Sequence, residues 1–166
     1  MLLKPDVKLE RVTDIKLETL KKYNISALIL DVDNTLSTHH GQHLTDGLAE
    51  WINYMQDGGI ILTILSNSNK DRVEPFANKI GLDFESLGLK PLPFGFLRVI
   101  KKLGLKKRNT AIVGDQIFTD ILGGNFVGIK TVLLTPILLE DGISFKIRRR
   151  LEKLIFKIYK IKNTEV

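Results

Sequence analysis

"LILDVDNTLS", residues 28–37, sets an apolar run directly against two carboxylates, Asp31 and Asp33. With Ser26 and Ala27 in front of it, the run predicts a strand over 26–31, buried on both faces because apolar residues do not alternate with polar ones. Two acids at the end of a buried strand are costly unless something offsets their charge. Nothing adjacent in sequence does so. The offset has to come from residues brought in by the fold, or from a ligand.

The flanking sequence predicts what that fold is. Residues 16–23 have helical spacing, with Asn24 tolerating a left-handed helix end. Leu48, Trp51, Ile52 and Met55 recur at three and four over 45–57, and Gly58-Gly59 stops the run. IILTILS, 60–66, is a second apolar strand. Over 69–82, Val73, Phe76, Ala77 and Ile80 share a helical face, with Pro75 expected in the first turns, where a proline costs least. Residues 84–87 suit a short edge strand, and 93–104 a helix between Pro93 and Gly104. TAIVGD, 110–115, is a third apolar strand ending in an acid; a short helix around 118–123 and a last strand over 129–135 follow. Strands alternating with helices imply a Rossmann-like three-layer α/β sandwich with a central parallel sheet.

Composition narrows the class. The chain has 166 residues, 43% apolar and 27% charged, as in a soluble globular protein with a real core. Without cysteine it has neither disulfides nor thiolate metal sites. No apolar run approaches a membrane span, and MLLKPDVKLE lacks the order of a secretory signal, so the expected location is cytoplasmic. The net charge of +6 sits entirely in residues 143–166, where eight Lys and Arg face Glu152 and Glu165. There Ile147, Leu151, Leu154, Ile155 and Ile158 share one helical face, which makes a basic amphipathic helix. It can pack on the domain, lie peripherally on an anionic membrane, or do both; nucleic acid is the other anionic partner, and a solvated helix face accounts for the same charges. The expected organisation is a domain over 1–142, with a motif-bearing core at 25–135, and a tail helix over 143–166.

In a parallel sheet, the carboxyl ends of the strands share one edge, where open α/β sheets bind ligands. That edge gathers Asp31, Asp33, Asp115 and Asp120, which would repel one another in a crevice. A divalent cation resolves the conflict, and Mg²⁺ suits an all-oxygen site. Taken singly, each acid could equally cap the helix that follows its strand.

At these residues the sequence resembles the haloacid dehalogenase superfamily of phosphotransferases. Asp31-Val32-Asp33-Asn34-Thr35 matches its DxDx[TV] motif, Ser66 its second, Lys90 its third, and Gly114-Asp115 with Asp120 its GDxxxxD. The combination of DVDNTL, LSN followed by Arg72-Val73, Lys90-Pro91 and VGDQ with Thr119-Asp120 and Gly123-Gly124-Asn125 resembles subclass IIIA, in particular the YqeG-like branch related to phosphatidylglycerophosphate phosphatases.

The resemblance implies a phosphoric monoester hydrolase in which Asp31 is the nucleophile and Asp33 the general acid and base. Ser66, Asn67 and Lys90 would bind the phosphate, and Thr35 would brace the loop. Asp31, Asp115 and the Asp33 carbonyl would hold Mg²⁺, with Asp120 a further ligand or orienting a metal-bound water. A receiver domain also has acids and a lysine at strand ends, but lacks the DxDxT arrangement.

Thirty residues separate Thr35 from Ser66 and 22 separate Asn67 from Lys90, too few in either gap for a cap domain. An open crevice suits a phosphate that protrudes from something large. With the basic tail, the expected substrate is phosphatidylglycerophosphate, hydrolysed to phosphatidylglycerol at a membrane surface. Lys70, Arg72 or the loop 36–44, with His39 and His40, would be candidates for contact with its second phosphate. A phosphatase for a soluble phosphosugar, nucleotide or phosphoprotein is the enzymatic alternative. An RNA- or ribosome-associated protein with a vestigial site is the non-enzymatic one.

Overall fold

The computed structural model describes residues 1–38, 44–138 and 143–162, without the side chains of 143–146, 148 and 149. Six parallel strands form one sheet in the order β1-β6-β5-β2-β3-β4. They are β1 (Val7–Leu9), β2 (Ala27–Leu30), β3 (Ile61–Leu65), β4 (Asp83–Glu85), β5 (Thr110–Gly114) and β6 (Lys130–Leu134). The helices between them are α1 (Leu17–Lys22), α2 (Leu48–Asp57), α3 (Lys70–Ile80), α4 (Pro93–Lys102) and α5 (Leu122–Val127), with α6 (Ile143–Tyr159) at the end. No helix is long and apolar enough to cross a membrane among the described residues.

The apolar run Leu28-Ile29-Leu30 lies in the middle of this sheet. Successive strand side chains point to opposite faces. Leu28 and Leu30 therefore join α1, α2 and α3 in one core, while Ile29 joins Leu65, Phe96, Val99 and Ile112 in the other. All three β2 residues are fully buried, each contributing about 1.5–3 kcal/mol of hydrophobic stabilisation. The expected three-layer sandwich is thus present. β2 lies between β3 and β5, so whatever follows β2 faces the ends of both.

Three details differ from the sequence reading. β1 is a sixth strand, not expected, and pairs with β6 from Val7↔Val132 to Leu9↔Leu134. It is fastened from outside the ladder: Thr131 donates its N–H to the Asp6 carboxylate at 2.9 Å, and the Asn125 amide donates to the carbonyls of Leu2 and Lys4. Pro75 is the sixth residue of α3, past the first turn, so it removes a helical N–H instead of replacing an orphan one. The residues expected to form a short helix around 118–123 form a π-helical turn, Ile117–Ile121, running into α5.

The tail segment is helical, but its apolar stripe divides. Ile155 is buried with Ile117, Ile121 and Leu133 on the α5 side of the sheet, and Phe156 and Tyr159 pack beside it. Ile147, Leu151, Leu154 and Ile158 are instead 47–63% exposed. Glu152, counted from sequence only in the charge balance of 143–166, lies on the buried side.

Candidate active site

Every motif residue stands at the carboxyl ends of the strands. Asp31 directly follows β2 and still donates its N–H to the Val113 carbonyl of β5 at 2.9 Å, so the ladder holds its backbone. Beyond it the chain turns tightly: Thr35, Leu36 and Ser37 all direct their N–H groups to the Val32 carbonyl, and Asn34 takes a left-handed φ of 60°. The turn swings Asp33 outward while Asp31 stays buried. Thr35 is buried within it, and its hydroxyl finds no hydrogen-bond partner among the described residues.

Asp31, Asp115 and Asp120 meet above β2 and β5, all buried, with a carboxylate oxygen of each within 4.8 Å of the others. Lys90 reaches them from the segment between β4 and α4. Its Nζ donates to Asp31 Oδ1 at 2.6 Å and to Asp120 Oδ1 at 2.7 Å. Burial alone would lower the Lys90 pKa, but the charges of Asp120 and Asp31 outweigh it and hold the ammonium above its usual range. Asp31 is pushed up from 3.8 to about 7, chiefly by burial, with Asp120 and Asp33 adding and Lys90 opposing. Three carboxylates against one ammonium leave two formal negative charges in excess, and all the donor oxygens are hard. That set fits a divalent cation.

Local sequence explains the convergence. A Cβ on Gly114 would fall onto the Asp120 carboxylate, so only glycine lets the turn close over the end of β5. Asp120 Oδ2 in turn accepts the Gln116 N–H at 3.2 Å. The glycines at 123 and 124 leave room for the Phe96 ring and for Ile112, seating α5 directly on α4 and the sheet. Ser66, buried after β3, accepts the Ser68 N–H on its Oγ at 3.1 Å, which leaves its own O–H to donate.

Asn67 forms a reciprocal clamp on Lys90. Its Oδ1 accepts the Lys90 N–H at 2.7 Å and its Nδ2 donates to the Lys90 carbonyl at 3.0 Å. The Asn67 side chain is thus committed to positioning the lysine, and the Lys90–Pro91 bond that follows is cis.

At the mouth, Asn69 caps α3 by accepting the Arg72 N–H, and the Arg72 guanidinium donates to Asp33 Oδ1. The Asp33 side chain therefore faces α3, apart from the cation-binding set. Lys70 is exposed and paired with Glu74 along the helix at 3.4 Å, outside the cluster. His39 and His40 lie outside the described residues. A recess of about 450 Å³ borders the β2 turn, lined by Arg11, Thr13, Thr35, Thr38, Asp46 and Thr135; none of the three carboxylates lines it.

One residue the motifs did not reveal touches this assembly. Glu152 of α6 accepts the Ile117 N–H at 3.1 Å, at the start of the turn that carries Asp120. A lone acid three residues before a buried Ile155, in an otherwise basic helix, was the only sequence signal for it.

A parallel sheet with acids from two strand ends, a buried lysine and an acid on the following turn fits phosphoryl-transfer chemistry. The chain belongs to the haloacid dehalogenase-like hydrolases, whose family model matches residues 16–128. It is 36% identical over 158 residues to "Probable phosphatase YqeG" of Bacillus subtilis strain 168, covering 95% of this chain and 92% of that protein. The chain is a phosphatase. Among solved structures, it is similar to a hydrolase from Streptococcus pneumoniae (TM-score 0.59, 13% identity, covering 83% of this chain and all of that one). It is also similar to the cobalt-bound deoxy-D-mannose-octulosonate 8-phosphate phosphatase from Haemophilus influenzae (TM-score 0.55, 19% identity, 82% and 90%).

Proposed function

We propose that the chain is a Mg²⁺-dependent phosphomonoesterase that dephosphorylates phosphatidylglycerophosphate at an anionic membrane surface. Asp31, Asp115, Asp120 and the Asp33 carbonyl hold the cation. When bound, it offsets the carboxylate charge and draws electron density from the phosphoryl oxygens.

Asp31 attacks phosphorus, and the bond to the ester oxygen breaks as the aspartyl-phosphate forms. Asp33 gives its proton to the departing alkoxide, then takes one from the water that cleaves the aspartyl-phosphate, releasing inorganic phosphate. Lys90, clamped by Asn67, and the Ser66 hydroxyl bind the phosphoryl oxygens in both steps. Arg72 can exchange its bond to Asp33 for the substrate's second, diester phosphate.

The observation that carries the lipid reading is the outer face of α6. Ile147, Leu151, Leu154 and Ile158 stand exposed among exposed Arg150, Lys153 and Lys157. An apolar stripe flanked by cations suits the interface of an anionic bilayer, where each basic residue contributes about 1 kcal/mol. Between Thr35 and Ser66, the described residues form no helix or strand besides α2 and β3, and no cap over the site is found among them.

The test is phosphate release from phosphatidylglycerophosphate in mixed micelles, with and without Mg²⁺. It compares wild type, Asp31→Asn and a triple Arg150→Glu, Lys153→Glu, Lys157→Glu variant. These outward substitutions are preferable to deleting the helix, because Glu152 and Ile155 hold the catalytic turn. Mg²⁺-dependent release that is lost in Asp31→Asn and weakened by the charge reversal is expected. Brisk release from a sugar phosphate and none from the lipid would overturn the substrate assignment.

A further inference from the structure

We propose that Leu87, Leu89, Leu92 and Phe94 form an apolar lip that enters an anionic lipid bilayer while the phosphate group seats at Lys90. The proposal rests on the membrane-surface reading above and names the surface that would make contact beside the site itself.

These residues occupy one short segment, from the end of β4 to the first turn of α4, and Lys90 lies in its middle. Lys90 is buried against Asp31 and Asp120, whereas the four apolar side chains are 51–57% exposed. The backbone holds them outward at a conformational cost. Leu87 and Leu89 have φ of 47° and 54°, in the left-handed region that residues with a Cβ seldom occupy.

The segment is tied down along its length. Leu87 donates its N–H to the Ser68 carbonyl at 2.9 Å, Gly88 to the Ser66 carbonyl at 2.8 Å, and Leu92 to the Leu89 carbonyl at 2.8 Å. A rigid loop that turns its lysine inward and four large apolar groups outward is an interaction surface, not a scatter of exposed leucines.

Position and charge select the occupant. Lys90 and the lip share one short segment, so an anionic surface that takes the lip in lies beside the residue proposed to bind the phosphate. A lipid surface supplies the substrate through the same contact. The acidic groups of adjoining β4 are neutralised, Glu85 by Arg98 at 2.5 Å and Asp83 by Lys102 at 2.9 Å, so they do not repel an anionic surface. The exposed cations of α6 match the same charge.

Trp51, the single tryptophan, is buried and donates its indole N–H to the Ile15 carbonyl, so its emission is a constant background to a reporter at the surface. Phe94→Trp would be titrated with vesicles of mixed phosphatidylcholine and phosphatidylglycerol, which contain no phosphomonoester. A blue-shifted emission, quenched by brominated acyl chains, is expected for the variant and not for wild type. Leu89→Asn places a residue at home in the left-handed conformation, and with Phe94→Ser it should retain Tm and weaken vesicle cosedimentation about tenfold.

Unshifted emission while the protein cosediments would mean that the tail alone binds, and would overturn the lip. Absence of vesicle binding by wild type would do so too, as would an emission shift that follows protein concentration and dimer mass without lipid. Insertion of the lip with no hydrolysis of phosphatidylglycerophosphate would leave the lip standing and remove the proposed substrate.

Discussion

In the mechanism proposed above Asp31 is the nucleophile, and therefore ionised, in a place where burial favours its protonated form. The conflict gives it a pH signature. Its carboxyl is raised from 3.8 to about 7, so between these values the folded chain holds more protons than the unfolded one. Stability of the cation-free protein from this source therefore falls as pH rises through that window, and the loss is complete above it. Thermal melts in EDTA across pH 4 to 8 should show the decline. Saturating Mg²⁺ should reverse it, by about 2.7 kcal/mol when the cation stands at a hundred times its Kd. Asp31→Asn should abolish turnover while raising the Tm of the cation-free protein, because it removes one of three crowded acids. Gly114→Ala should cost about 1–3 kcal/mol in urea denaturation and weaken Mg²⁺ binding, since the added methyl displaces the Asp120 carboxylate. At this scale the sequence was readable for where the motif acids, Ser66 and Lys90 lie, because each follows a predicted strand or stands in the short connection after one. It was not readable for Arg72 on Asp33 or Asn67 on Lys90, because those pairings depend on where α3 and the segment before α4 lie in space.

The elements that place the carboxylates are held from behind. The turn Ile117–Ile121 is short and π-helical, a geometry that often accompanies functional sites. Its first N–H is met by Glu152 and its apolar side by Ile155. Glu152→Ala should cost about 1–3 kcal/mol by leaving a buried donor unmet. Ile155→Ala should cost about 2–5 kcal/mol. Chemical denaturation checks both, and only the first should also loosen Mg²⁺ binding, because it alone frees the turn's backbone. The long apolar strands and amphipathic helices were legible because their periodicity is local. β1 was not: Val7, Lys8 and Leu9 are too few to show a period, and their pairing depends on Asn125, Thr131 and β6, more than a hundred residues away. The five-residue stripe of α6 was visible, but which part would dock was not, since docking is decided by a facing surface that helical spacing does not encode.

For the molecule as a whole, exposed cations lie on the outer face of the last helix. Turnover of phosphatidylglycerophosphate in anionic vesicles should therefore decline as salt rises from about 0.1 M towards 1 M, where the screening length shrinks from about 10 Å to 3 Å. Hydrolysis of a small water-soluble ester should change little over the same range; parallel assays in one salt series decide it. The pairing of β1 with β6 has a consequence for biosynthesis. The strand made first is completed by the strand made last, and Asp31 waits for Asp115 and Asp120. A nascent chain stopped before Lys130 exposes the open edge of β5 and has no finished sheet. Such a fragment is a candidate for chaperone capture. The site is thus assembled only after β5, the turn carrying Asp120 and β6 have been made.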